Sequence, residues 1–143
     1  MISVCHHSQR KQLQTFDQKP SNEEVEKIIT SFFALLQAGE IEKAHGLVEH
    51  AYNDWEESIH LVWEDHHLIH ESVDDSSFEG RAWINDRAWL KDLTIKDSME
   101  WINEDYVWAD LIYRGKASGY IAEFSVQKGD DGYFVQRMIF KMA

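Results

Sequence analysis

Residues 28–48 read IITSFFALLQAGEIEKAHGLV and residues 122–140 read AEFSVQKGDDGYFVQRMIF, and these two stretches decide the fold class. The first is preceded by Ser21-Asn22-Glu23-Glu24. Ser21 can cap a helix while Glu24, three residues on, returns the bond to the cap, a capping box. Val25, Ile28, Ile29, Phe32, Phe33 and Leu36 then recur at offsets 0, 3, 4, 7, 8 and 11, one face of an α-helix. Gly39 falls where a left-handed C-cap belongs. From Glu40 onward Ala44, Leu47, Val48, Ala51 and Trp55 repeat offsets 0, 3, 4, 7 and 11, which predicts a second helix. The linker around Ala38-Gly39-Glu40 is short, so the two helices are expected to form a hairpin. Gly46 weakens the second helix by about 1 kcal/mol against alanine and marks a close approach or a break.

The second stretch belongs to three β-prone runs, 105–114, 119–127 and 133–142. Gly115-Lys116-Ala117-Ser118-Gly119 is expected to connect the first pair and Lys128-Gly129-Asp130-Asp131-Gly132 the second, both as hairpins. In the middle run Tyr120, Ala122, Phe124 and Val126 face one side, and Ile121, Glu123, Ser125 and Gln127 the other. In the last run Phe134, Met138, Phe140 and Met142 share a face broken by Gln136. Between helices and strands, Ile59, Val62, Trp63, His66, Leu68, Ile69 and Val73 suit a third helix loosely. Asp74-Asp75-Ser76-Ser77 reads as a loop. Residues 78–98 fit a strand followed by a short helix, and periodicity does not decide. Residues 1–20 are polar and end at Pro20, which predicts an N-terminal arm ahead of a single α+β domain at 21–143.

Helices first and an antiparallel meander last imply an α+β fold, with N-terminal helices packed on one face of a curved antiparallel sheet. On the two quoted stretches the chain resembles the nuclear transport factor 2-like superfamily, which shares the cone of ketosteroid isomerase. The resemblance covers roughly half of the chain and lies in fold signals. It implies a cone with an interior pocket between sheet and helices. Members use the pocket for isomerase, dehydratase or hydrolase chemistry, or use the outer sheet for dimers and partners. Some bacterial members resemble toxin-neutralising immunity proteins. No catalytic residue of the family is carried onto this chain.

Composition sets outer bounds. The 143 residues carry a net charge of −12, with 43% hydrophobic and 13% aromatic content. One domain of this size buries about 70% of its unfolded surface, and the disorder signature is absent. No apolar run is long enough to span a membrane as a helix, and MISVCHHSQRKQLQ has no signal-peptide core. A cytoplasmic protein is expected. The single cysteine, Cys5, excludes an intramolecular disulfide framework, and no nucleophile elbow, phosphate-binding loop or dinucleotide fingerprint occurs. Residues 40–80 hold twelve acids against Lys43, a net −11, and six of the eight histidines. Such a segment repels nucleic acid and attracts a basic protein. The blander meaning of an acid block is a solvated, solubilising surface.

Candidate chemistry is weighed against that background. His66 and His70 at i, i+4, with Glu42/His45, Glu57/His60 and Glu64/His67 as Glu-x-x-His pairs, have metal-ligand spacing. The last two pairs lie seven apart on one expected helix and would not converge, so no metal and no cofactor is assigned. The six clustered histidines could titrate near neutral pH and offset about half of the local charge, though incidental titration is the simpler reading. In the run from Asp105, Tyr106, Trp108, Asp110, Ile112 and Arg114 share a face. Trp108 and Asp110 are the candidate pocket residues, Asp110 as a general base in apolar surroundings. The competing reading pairs Asp110 with Arg114 or Arg137 on an exposed face. Tyr113, Tyr120 and Tyr133 are candidate oxyanion donors.

Two functions follow as expectations. The first is an acidic binding protein, concretely an immunity protein occluding a basic toxin such as a nuclease. Glu56, Glu57, Glu64, Asp65, Glu71, Asp74 and Asp75 would meet its lysines and arginines, with Trp55 or Trp63 as apolar anchor. The alternative is a small-molecule isomerase, dehydratase, hydrolase or ligand carrier using the cone pocket and Asp110. A homodimer through the sheet face is compatible with either.

Overall fold

The computed structural model describes residues 13–51, 91–113 and 115–142, and of Phe140 and Met142 the backbone alone. Within these, α1 spans Asn22–Gln37 and α2 Ile41–His45. The strands are β1 Val48–His50, β2 Leu93–Ile95, β3 Glu100–Trp101, β4 Tyr106–Tyr113, β5 Lys116–Gly129 and β6 Gly132–Met142. They form one six-stranded sheet in the order β1-β6-β5-β4-β2, with β3 also on β4. The architecture is α+β: helices packed on a strongly curled, half-barrel sheet. No helix among the described residues is long and apolar enough to cross a membrane.

Local chemistry explains α1 fully. Ser21 Oγ accepts from the Glu24 N–H at 3.2 Å, and Glu24 Oε1 accepts from the Ser21 N–H at 2.9 Å. The six residues at helical spacing are all buried. Phe32, Phe33 and Phe124 of β5 meet edge-on, with ring centroids 5.2–6.1 Å apart. Gly39 has φ 78°, where a side chain would be strained.

The second helix is shorter than its apolar spacing predicts. It stops at Gly46, and Val48–His50 becomes a strand parallel to β6, with Val48 opposite Val135 and His50 opposite Arg137. The sheet is therefore mixed, not purely antiparallel. Helical period over so short a stretch loses to a break at glycine followed by an open sheet edge.

The meander is antiparallel as expected, with two corrections. Tyr113 pairs with Lys116, so the first connector is a tight turn and residues 116–119 belong to β5. The extra length is absorbed as a bulge opposite Leu111, whose carbonyl accepts from Ser118 Oγ at 2.8 Å, and Gly119 adopts φ 83°. In β6 the core face is Val135 and Arg137, while Phe134 and Met138 are only half-buried. Central β5 is buried on both faces from Ile121 to Val126, apart from half-buried Glu123.

Residues 13–20 form a strap. Phe16 and Tyr133 exchange both backbone hydrogen bonds at 2.8 Å, and the Gln14 N–H reaches the Gly46 carbonyl at 2.7 Å. Lys19 pairs with Asp105, and Pro20 is buried.

Candidate functional site

Strand alternation sorts the expected pocket residues. Val107, Ala109, Leu111 and Tyr113 of β4 are buried against the helices. Trp108 and Asp110 consequently lie on the opposite face, where Asp110 is exposed. Neither lines the space between sheet and helices. Arg137 cannot meet Asp110, since it is buried on the core side. Of the tyrosines weighed as oxyanion donors, Tyr113 is fully buried, and Tyr120 and Tyr133 pack partly against the core. Trp108 has another set of partners. Its indole N–H donates to Glu123 Oε2 at 2.7 Å. Lys141 Nζ lies 3.6 Å from the same carboxylate and 4.1 Å from the indole centroid. A carboxylate satisfied by an indole and an ammonium, with the ammonium also over the ring, is a self-contained pairing that fixes three adjacent strands.

The residues assigned to a basic partner, Trp55, Glu56, Glu57, Trp63, Glu64, Asp65, Glu71, Asp74 and Asp75, lie outside the described residues. So do His60, His66, His67 and His70. His45 and His50 are described, and they are not on a solvated acidic face. Their rings meet edge-on at 5.1 Å, and His50 meets Phe32 at 5.8 Å. Arg137, 1% exposed, donates from Nε to His50 Nδ1 at 2.9 Å.

The protonation of this contact follows from its donors. A guanidinium only donates and stays charged, so Nδ1 must be the bare, accepting nitrogen. The imidazole is neutral and carries its proton on Nε2. Burial is the main reason that the His50 pKa falls from 6.5 to about 3, with Arg137 and His45 adding to it. Among the described residues, this contact joins a buried arginine of β6 to a half-buried histidine of β1.

Sequence reading placed Arg137 on an exposed face. The alternation Val135, Arg137, Ile139 is as regular as Phe134, Gln136, Met138, and the arginine made the first set look solvated. Parallel pairing of β1 with β6 brings His50 to it from 87 residues away. Among the described residues, no group of three or more His, Cys, Asp or Glu side chains is placed to hold a metal ion. Comparison of the chain with protein-family models, curated proteins and solved structures finds no match.

Proposed function

We propose that the chain is an acidic binding protein on a cone-like scaffold of the nuclear transport factor 2 type, and that it occludes a basic partner. The concrete form is an immunity protein that blocks a cationic toxin such as a nuclease. One observation carries the reading: residues 52–80 hold nine acids and no lysine or arginine. The rest of the chain is close to charge balance, so the field is concentrated in one segment, as a surface that steers a cationic protein requires. The scaffold reading is supported by a helical pair ahead of an antiparallel meander, packed on one face of a curled sheet.

Enzymatic use of the interior has no described observation in its favour. Its base, Asp110, is exposed on the face opposite the helices, where Phe32, Phe33, Leu111 and Phe124 do not lie; these four pack together in the core.

The test compares the wild-type protein with a Glu64→Lys, Asp65→Lys variant as baits in host lysate at low salt. The expected result is a basic protein retained by the wild type, released by salt, and lost from the variant. With that partner purified, affinity should fall at least tenfold in the variant, with a shallower salt dependence. Equal affinity and equal salt dependence for both baits would remove the acidic segment from the interface.

A further inference from the structure

We propose that the sheet face opposite the helices carries a docking site for an arginine side chain of a basic protein, with Trp108 as its platform and the chain's own Lys141 ammonium as the resident that the incoming guanidinium displaces. Cross-strand register builds the site, because paired residues share a face. Glu100, Trp108, Glu123 and Ile139 form one row across β3, β4, β5 and β6. Asp110, Ile121 and Lys141 form the next row. An indole thus stands between two carboxylates, with a third one position along β4 and the exposed Ile139 at the end of its row.

A cation already sits on this surface. Lys141 Nζ lies 4.1 Å from the indole centroid and 3.6 Å from Glu123 Oε2. The platform is fixed, and its resident is loosely held. The 2.7 Å bond from the Trp108 indole N–H sets the Glu123 carboxylate in place. The ammonium, by contrast, stands beyond the roughly 2.7–2.9 Å of a charge-assisted hydrogen bond, on a side chain that is 35% exposed. Both contacts fall on Oε2, and among the described residues Oε1 accepts no hydrogen bond. Glu100 and Asp110 are exposed, with no side-chain hydrogen bond or ion pair among the described residues. Lys96, whose backbone N–H donates to the Asp110 carbonyl at 3.0 Å, makes no ion pair with the Asp110 carboxylate. A guanidinium suits this arrangement better than an ammonium. It is planar and stacks on an indole, it offers paired N–H groups to a carboxylate, and it is the more weakly hydrated cation. Ile139 is placed to take the aliphatic stem of an arginine.

The choice of a basic protein as the ligand rests on the proposed function, to which the site adds a contact outside residues 52–80 of the sequence. A peptide titration needs no host partner, so the two readings fail separately. A responding platform with no basic protein captured from lysate would remove the function alone, and a silent platform beside a captured partner would remove this site alone.

The experiment is an NMR titration of the full chain at low salt with acetyl-Gly-Arg-Gly-amide, and in parallel with acetyl-Gly-Lys-Gly-amide. The reporters are the Lys141 ε-methylene, which the indole ring current holds upfield, and the Trp108 indole N–H. The reference is Lys43, an exposed lysine paired with Glu40 at 3.1 Å. The arginine peptide should move the Lys141 signal toward its free position and shift the Trp108 N–H, with Lys43 moving far less. The lysine peptide should bind more weakly, by a factor of about two or more. Lys141→Met clears the platform and should tighten the arginine peptide roughly two- to fivefold at Trp108, the worth of one exposed cation–π contact. The proposal is overturned by equal movement of Lys141 and Lys43, by equal binding of the two peptides, or by unchanged or weaker binding to Lys141→Met. Should that variant fail to fold, the wild-type titration with its lysine-peptide control decides alone.

Discussion

Replacing Gly132 by alanine should unseat the N-terminal strap, and the cost can be built from the geometry. Gly132 opens β6 with φ 124°, and a Cβ there would meet the Phe16 carbonyl oxygen at 2.5 Å. The obstacle is backbone, so no side chain can rotate away. Holding a non-glycine residue at that φ costs about 1–3 kcal/mol. Relieving the clash means moving Phe16 outward, which breaks the two bonds that it exchanges with Tyr133. Each is worth about 0.5–1.5 kcal/mol net. Gly132→Ala should therefore destabilise the full chain by roughly 2–6 kcal/mol in urea unfolding, with little change in m-value. The strap component is separable by a double-mutant cycle with a chain that begins at Asp17. In that background only the backbone strain remains, so the coupling between the two changes should be about 1–3 kcal/mol. Additive effects, or a Gly132→Ala cost under about 0.5 kcal/mol, would show that the strap is not held by this contact.

Four further outcomes are expected. Ser21→Ala should cost about 1 kcal/mol by removing the α1 cap, read by thermal or urea unfolding. The Glu24 carboxyl is held below its ordinary pKa by its bonds to Ser21, so its contribution is present above the unfolded value of 4.5 and is lost as pH falls below it. The loss should be smaller in Ser21→Ala. Arg137→Met should raise the His50 pKa measured by NMR titration, but not restore 6.5, because burial, the larger cause, remains; an unchanged pKa would remove Arg137 from the account. Asp110→Asn should change stability by less than about 0.5 kcal/mol, since the side chain is exposed, and a large loss would mean that it has a structural partner.

Legibility from sequence tracks how local each element's causes are. α1 was readable throughout, because its cap, apolar face and terminal glycine all lie within residues 21–39. The β5–β6 hairpin was readable for the same reason, with Gly129 opposite Gly132. The end of α2 was not. Ala44, Leu47 and Val48 satisfy a helical period, and a three-residue strand is too short to display a period of two. What makes Val48–His50 a strand is the edge of β6, a partner remote in sequence. The Arg137–His50 contact was hidden by the same distance: an arginine in an alternating run looks like a solvated face until its acceptor arrives from elsewhere. The reading of Trp108 and Asp110 identified the shared face correctly and left open which side faced the helices. That depended on the packing of Val107, Ala109 and Leu111.

The parallel pairing of β1 with β6 also orders the assembly of the molecule in time. Residues 48–50 emerge early from the ribosome but can find their sheet partner only after residues 135–137 have followed. Closing so long a loop adds only modestly to the entropic cost, because that cost grows logarithmically with length, yet it makes the step slow relative to local helix and hairpin formation. During synthesis the apolar face of α1 must therefore wait for Val107, Phe124 and Val135, which arrive in the last third of the chain. A nascent chain stalled before β6 would expose Phe32 and Phe33 to any passing chaperone. β1 should consequently settle only after β6 has been made.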